Sequence, residues 1–134
     1  MFDLKSVTEV ESAAIDLLHP VTRQKLGATV TLAGPEHKVR KDYEFKHARK
    51  LRARMQKLRR LDLGDPEEDA EEAIERLVAF TLSWSGFAED GKEIVFSAEA
   101  ARVLYARPDM GWLRTQLLEA AEQHDFFIRS SAPA

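Results

Sequence analysis

The chain has 134 residues, no cysteine and 44% hydrophobic residues. This length fits a single domain, residues 1–134, that can bury a core without a metal or a disulfide. The missing cysteines exclude disulfides, thiolate nucleophiles and zinc–thiolate sites. No apolar run approaches the roughly 20 residues of a membrane-spanning helix, and the N-terminus lacks the pattern of a secretory signal. We therefore expect a soluble, cytoplasmic protein with no membrane partner.

The net charge of −3 hides a strong division of charge along the chain. Between Glu36 and Arg60, eleven lysines and arginines outnumber three acids, so the local charge is +8. Between Asp62 and Glu75 there are eight acids and no base. Blocks of like charge form solvated surfaces or contact partners of opposite charge. The basic segment is therefore the main candidate for a binding surface.

Two β-prone segments, AAIDLL and ATVTL, predict an N-terminal antiparallel hairpin over residues 13–33. The second segment alternates apolar residues with threonines, which is typical of a strand with one buried face. The turn-rich segment HPVTRQKLG joins the two. Because two strands alone are marginal in water, the hairpin must pack on helices or gain a further strand. Residues 94–96, with the sequence IVF, would supply one extra short strand.

Helical patterns over residues 35–127 predict a mainly α-helical body of about four helices, so the expected fold class is α+β. The first helix starts around Pro35 and carries the basic segment. A second helix starts at Pro66 with an acidic first turn, which the helix dipole favours. We expect its apolar stripe to continue as helix into Trp84.

Two short polar residues occupy positions where further helices would begin. Ser97 and Asp109 each precede a helical pattern and are expected to act as N-caps. Residues 1–11 are polar and weakly patterned, and we interpret them as a flexible or loosely docked end. Residues 129–134 are expected to form a flexible tail.

No pattern of catalytic or metal-binding residues stands out. The four histidines, none of which has a metal-binding spacing, are His19, His37, His47 and His124. The acidic block lacks the alternating oxygen ligands and central glycine of a calcium loop. Neither an enzyme nor a bound cofactor or metal is expected.

The basic segment leaves three interpretations open. The acidic helix could neutralise it within the chain, an acidic protein could bind it, or phosphates of a nucleic acid could bind it with strong salt dependence. In the last case the contacts would come from Lys46, Arg49, Lys50, Arg52, Arg54, Lys57, Arg59 and Arg60. The acidic pI of 5.8 and the absence of a recognition motif argue against nucleic acid. Trp84 and Trp112 are core anchors or, where exposed, partner-binding residues.

Three motifs together resemble the tail assembly chaperones of long, non-contractile-tailed bacteriophages and prophages. They are LLHPVT…LG…VTL in residues 17–32, LSWSGF in residues 82–87, and DGK…VFS…A…L…D…WLR…QL in residues 90–117. The resemblance spans roughly residues 13–127, and its strength lies in the order and spacing of the motifs. At Arg23 the chain has an arginine where a turn glycine is common in the family.

The resemblance implies a small α+β protein that acts during virion assembly and is absent from the mature particle. Such chaperones bind the aggregation-prone tape-measure protein, keep it soluble and help tail-tube subunits polymerise around it. The partners implied are the tape-measure protein, the tail-tube protein and a second copy of the chain. The residues we expect to bind partners are Lys46, Arg49, Lys50, Arg52, Arg54, Arg59, Trp84 and Phe87. The alternatives are a nucleic-acid-binding accessory protein and a structural head–tail joining component.

Overall fold

A computed structural model of the chain describes residues 1–58, 66–123 and 127–130. The fold is α+β, as the sequence predicts. In chain order its strands and helices are β1 (Val7–Glu9), β2 (Ser12–Leu18), β3 (Lys25–Ala33), α1 (Lys38–Leu58), α2 (Pro66–Phe80), β4 (Thr81–Ser85), β5 (Ala88–Glu89), β6 (Lys92–Glu93), α3 (Ala98–Ala106), α4 (Gly111–Glu122) and β7 (Ile128–Ser130). Short 3₁₀ turns at Leu4–Ser6 and Pro108–Met110 complete the described elements.

A three-stranded antiparallel sheet, in the order β2-β3-β4, forms the centre of the fold. The pairing aligns Ile15, Val30 and Trp84 across one face of the sheet. All three are buried, because this face packs under the helices. On the opposite face Thr29 pairs with Ser85, and their hydroxyls lie 2.8 Å apart. The sheet therefore has one apolar and one polar face, as the alternation in β3 predicts.

The core lies between the apolar face of this sheet and helices α2, α3 and α4. Its largest fully buried side chains are Tyr105, Phe80, Phe127, Leu17, Leu32, Leu77, Leu113, Leu117 and Val30. They come from β2, β3, α2, α3 and α4 and from Phe127 near the C-terminal end, so the sheet and these helices share one core. The predicted N-terminal hairpin is confirmed as β2 and β3.

The second helix ends earlier than the sequence predicts. Its last residue is Phe80, and residues 81–85 leave it as strand β4 instead of continuing as helix into Trp84. The Thr81 hydroxyl donates to the carbonyl of Leu77 at 2.7 Å, which occupies a carbonyl in the last turn of the helix. The predicted apolar stripe fits a helix up to Phe80. Beyond Phe80, pairing with β3 makes the chain extended.

The expectation that residues 94–96 supply the extra strand is wrong, because β4 takes that place in the sheet. Ile94 instead accepts a hydrogen bond on its carbonyl from Trp84 Nε1 at 2.8 Å. Ile94 and Phe96 are half-buried against the core, and Val95 is exposed. The segment is therefore a support for Trp84 rather than a strand.

One of the two predicted helix caps is confirmed. Ser97 accepts a hydrogen bond on Oγ from the Ala100 N–H at 3.0 Å and caps α3. Asp109 does not cap α4, whose N-cap residue is Met110. Asp109 lies in the preceding 3₁₀ turn and binds Arg107 through both carboxylate oxygens, which lowers the pKa of Asp109.

The two ends of the chain pair with each other. Strand β1 and strand β7 form an antiparallel ladder in which Thr8 lies opposite Arg129. The N–H of Val10 donates to the carbonyl of Phe127 at 2.7 Å, and Phe127 is fully buried. This ladder holds residues 7–9 and 129–130. Of the two interpretations of the N-terminal end, flexible or loosely docked, docking fits residues 7–9, and the expectation of a flexible tail is wrong for residues 129–130. Residues 131–134 lie outside the described part of the chain.

Candidate functional site

Helix α1 begins at Lys38, three residues after the predicted start at Pro35. His37 precedes it and accepts a hydrogen bond on Nδ1 from the Val39 N–H at 3.1 Å. The helix then runs 21 residues to Leu58, a length of about 31 Å at the rise of an α-helix. This rod carries most of the basic segment.

The N-terminal half of α1 is anchored by Arg40, whose side chain is buried. Its Nη1 donates to the carbonyls of Ala33 at 3.3 Å and Ala121 at 3.0 Å. The guanidinium lies 4.6 Å from the ring centre of Phe80. Ala121 is in the last turn of α4, where carbonyls lack helical partners and the helix dipole favours a cation. Arg40 therefore fixes α1 to the end of β3 and the end of α4.

Helix α1 meets α2 along a line formed by Tyr43, His47 and Leu51, which are spaced by four residues. The Tyr43 hydroxyl donates to the carbonyl of Glu72 at 3.4 Å. Its ring stacks on His47 with centroids 6.2 Å apart and meets Phe80 edge-on at 5.7 Å. Leu51, two turns beyond Tyr43, is 44% exposed. An apolar line therefore continues past the point where the two helices are in close contact.

An open cleft of about 1020 Å³ is lined in part by these three residues, and we refer to it as the α1–α2 cleft. It is lined by Tyr43, Lys46, His47, Arg49, Lys50, Leu51, Ala53 and Arg54 of α1 and by Glu71, Glu72 and Glu75 of α2. Its floor is the apolar line, and its two walls carry opposite charge.

The basic wall of the α1–α2 cleft consists of Lys46, Lys50 and Arg54, which are spaced by four residues and so lie along one face of the helix. Within the described residues, Lys46 and Lys50 form no ion pair, and both are exposed. Two lysines of this wall are therefore available to a partner.

The acidic wall consists of Glu71, Glu72 and Glu75. Glu75 is held by Arg102 of α3, whose Nε and Nη2 donate to its carboxylate at 2.7 and 3.2 Å. This hydrogen bonding lowers the pKa of Glu75. Across the described part of the chain, Glu71 and Glu72 are exposed and make no ion pair. The two walls therefore face the same cleft, but neither Lys46 nor Lys50 forms an ion pair with Glu71 or Glu72.

The interpretation in which α2 neutralises α1 is not supported for Lys46, Lys50 and Arg52, which have no ion pair to any described residue. One ion pair between the helices has the reverse polarity, because Glu44 on α1 approaches Arg76 on α2 at 3.9 Å. That distance is long, and such partly exposed pairs contribute little to stability.

The outer surface of α1 combines apolar and basic side chains. Phe45 is 62% exposed and Met55 is 40% exposed. Arg49 and Arg52 are also exposed, and Arg49 Nε donates to the carbonyl of Phe45 at 3.4 Å. A helix that projects bulky apolar groups among cations has surface left for a partner to cover.

The structure does not bring Trp84 and Phe87 together with the basic residues. Trp84 is 8% exposed and lies in the core, with Phe87, Phe96 and Tyr105 edge-on around its indole. Trp84 is therefore a core anchor, which is one of the two alternatives that the sequence leaves open, and it offers no exposed apolar surface to a partner. Phe87 is half-buried and lines a different pocket of about 470 Å³, together with Trp112.

Of the residues that the sequence predicts to bind a partner, four line the α1–α2 cleft, namely Lys46, Arg49, Lys50 and Arg54. Arg52 is exposed on the outer surface of α1, and Arg59 lies outside the described residues. Sequence reasoning missed the floor residues Tyr43 and Leu51 as part of the site, although their spacing was visible. It also treated the acidic block as a solvated helix start rather than as a wall.

The described residues contain no group of three or more histidines, aspartates or glutamates placed to hold a metal ion. In the same part of the chain, every helix is too short or too polar to cross a membrane. What the α1–α2 cleft offers chemically is charge and apolar surface on a scaffold anchored by Arg40.

Comparison with protein-family models, with curated proteins and with solved structures finds no match to this chain.

Proposed function

We propose that this protein is a tail assembly chaperone of a long, non-contractile-tailed bacteriophage or prophage. In this proposal it binds the tape-measure protein in the host cytoplasm, assists assembly of the tail tube and performs no catalysis. The observation that carries the proposal is the exposed surface of α1, where the apolar side chains of Phe45, Leu51 and Met55 lie among exposed cations. Such a surface can cover the apolar face of a client helix while its charges keep the complex soluble.

The resemblance to the chaperone family gains support from the backbone of its motifs. The motif glycines Gly27, Gly86 and Gly91 all have positive φ, at 82°, 86° and 78°. Arg23, which replaces a glycine common in the family, has φ 63° and so adopts a conformation that favours glycine. The motif glycines therefore lie at backbone positions that favour glycine. This is expected if the chain has the fold that the family uses.

Co-expression with the tape-measure protein encoded nearby tests the proposal. We expect the wild-type chain to keep the tape-measure protein soluble and to co-purify with it. The double variant Arg49→Glu/Arg52→Glu should lose most of that binding and keep its fold, because both side chains are exposed. The matched control Lys5→Glu/Lys92→Glu reverses two exposed charges away from α1 and should bind normally. A tape-measure protein that stays insoluble with the wild-type chain would contradict the proposal.

A nucleic-acid-binding accessory protein is the second candidate, and it is favoured by Lys46, Lys50 and Arg52, which form no ion pair with any described residue. Phosphate contacts by these residues would weaken steeply as salt is raised. The acidic α2 beside them would repel the same phosphates. The same purification decides between the two: nucleic acid that is released by salt, without tape-measure protein, would favour this candidate.

A further inference from the structure

We infer that the α1–α2 cleft is a groove that fixes the direction in which a partner helix binds. The inference deepens the proposed function and relies on it for the identity of the natural partner, while the chemistry of the partner follows from the cleft itself. That partner is an amphipathic helix with an apolar stripe, acidic residues along one flank and basic residues along the other.

The floor and walls of the cleft set these requirements. Tyr43 and Leu51 on the floor offer apolar contact to the stripe of a helix. Lys46 and Lys50 carry positive charge along one wall, and Glu71 and Glu72 carry negative charge along the other. No described residue forms an ion pair with any of these four side chains. A helix bound in the groove would therefore supply these four side chains with the ion-pair partners that the described chain does not provide.

The dimensions suit a helix of ordinary length. From Tyr43 to Arg54 the cleft follows α1 for about 16 Å, or three helical turns. A partner helix of about three turns or more would contact the whole floor. A cleft of about 1020 Å³ has room for the side chains of one face of such a helix.

Opposite charge on the two walls is what selects direction. A helix whose apolar stripe lies on the floor can run along the cleft in either of two opposite directions. If it has acids on one flank and bases on the other, its charges match both walls in only one of these directions. Turning it end to end exchanges its flanks and places like charges against both walls, which is destabilising. A helix with the same charge on both flanks meets repulsion at one wall in either direction. The cleft therefore discriminates between charge patterns as well as between directions.

Synthetic helical peptides of about three heptads test this inference directly, without the tape-measure protein. All share one leucine stripe: the mixed peptide has glutamate on one flank and lysine on the other, and two controls have glutamate or lysine on both flanks. Binding of labelled peptide to the full chain is measured by fluorescence anisotropy. We expect the mixed peptide to bind about tenfold or more tightly than either control. Equal or tighter binding of the all-glutamate peptide, or no binding of any peptide, would overturn the inference.

Variants of the walls make the test sharper. Lys46→Glu/Lys50→Glu leaves Arg54 as the one cation of the basic wall, turns the net charge of that wall negative and should shift preference to the all-lysine peptide. Glu71→Lys/Glu72→Lys leaves Glu75 as the one acid of the acidic wall, turns the net charge of that wall positive and should shift preference to the all-glutamate peptide. All four side chains are exposed, so the fold should survive, as circular dichroism would verify. Unchanged preferences in folded variants would overturn the inference, and the wild-type peptide series decides the matter should a variant fail to fold.

Combining both wall variants again gives the walls opposite net charges, but with the negative wall on α1 and the positive wall on α2. This fourfold variant should again prefer the mixed peptide but bind it in the reverse direction. A photo-cross-linker at the peptide N-terminus should mark one end of the cleft, near Tyr43 or near Arg54, in the wild-type chain and the other end in the fourfold variant. Cross-links at the same end in both proteins would contradict direction selection. Failure here with intact tape-measure binding would reject the groove and leave the chaperone proposal standing.

Discussion

At the scale of single residues, Tyr105 shows how burial controls a side chain of the core. It is fully buried, and its hydroxyl lies 2.8 Å from Thr81 Oγ1. Because the Thr81 hydroxyl donates its own proton to the Leu77 carbonyl, Tyr105 is the donor in this pair. Burial disfavours the charged phenolate and raises the pKa of Tyr105 to about 12.

This pKa predicts a loss of stability in alkali. The folded chain holds Tyr105 neutral below a pKa of about 12, whereas the unfolded chain ionises it near pH 10. The stabilisation is complete below about pH 10 and is lost as the pH rises toward 12, with on the order of 1 kcal/mol lost by pH 11. Urea unfolding at pH 9 and pH 11 measures this fall in the free energy of unfolding. Tyr105→Phe should cost about 1 kcal/mol at pH 9 and show a smaller fall between the two pH values; an identical fall would contradict the assignment.

Arg40 marks the limit of sequence reasoning at this scale. It lies in the basic segment and by sequence is one more cation of a solvated helix. The structure buries it, because the carbonyls of Ala33 and Ala121 and the ring of Phe80 converge on its guanidinium. These partners come from β3, α4 and α2, so only the three-dimensional arrangement reveals the role. By contrast, the local contact between Ser97 and Ala100 was predictable from the cap pattern alone.

At the scale of elements, Gly86 decides how β4 ends against β3. Its φ is 86°, and a Cβ at this position would lie 2.5 Å from the carbonyl oxygen of Gly27 and 2.9 Å from Cα of Ala28. Both atoms belong to the backbone, so neither can move aside without shifting the sheet. Gly91, in the turn between β5 and β6, has a similar φ of 78° but open space around it.

The two glycines give a matched pair of substitutions. Gly91→Ala should cost about 1 kcal/mol, which is the strain of the left-handed conformation alone. Gly86→Ala should cost about 2–4 kcal/mol, because the steric clash adds to that strain. Urea unfolding monitored by tryptophan fluorescence compares the variants. Equal costs would show that β3 and β4 do not approach each other as closely as described.

Strand β4 shows why one element was predicted wrongly. Leu77, Val78 and Thr81 continue a helical stripe, and nothing local separates this stripe from the strand that follows. Ser83 and Ser85 alternate with Trp84 in the way of a half-buried strand, and their partners on β3 are Thr31 and Thr29. That alternation was the available signal, but its pairing partner lies more than fifty residues away. The hairpin of β2 and β3 needed only a short loop and was predicted correctly.

At the scale of the whole molecule, described residues of the basic and acidic blocks form two walls of one cleft. The sequence predicts both blocks and the helices that carry them, and hence most residues of the basic wall. It does not predict whether the blocks neutralise each other, because that depends on the spacing between α1 and α2. In the described chain Lys46 and Lys50 remain without ion pairs, so the charge is available to a partner.

The measurement that tests the central claim most directly is hydrogen exchange on the chain alone and in complex with the tape-measure protein. The account predicts slower exchange on binding in residues 43–56 of α1 and 71–76 of α2, with little change at β5 and β6. The Arg49→Glu/Arg52→Glu variant should lose that protection, and the Lys5→Glu/Lys92→Glu variant should keep it. Protection confined to the pocket around Phe87 and Trp112, or no complex at all, would contradict the account.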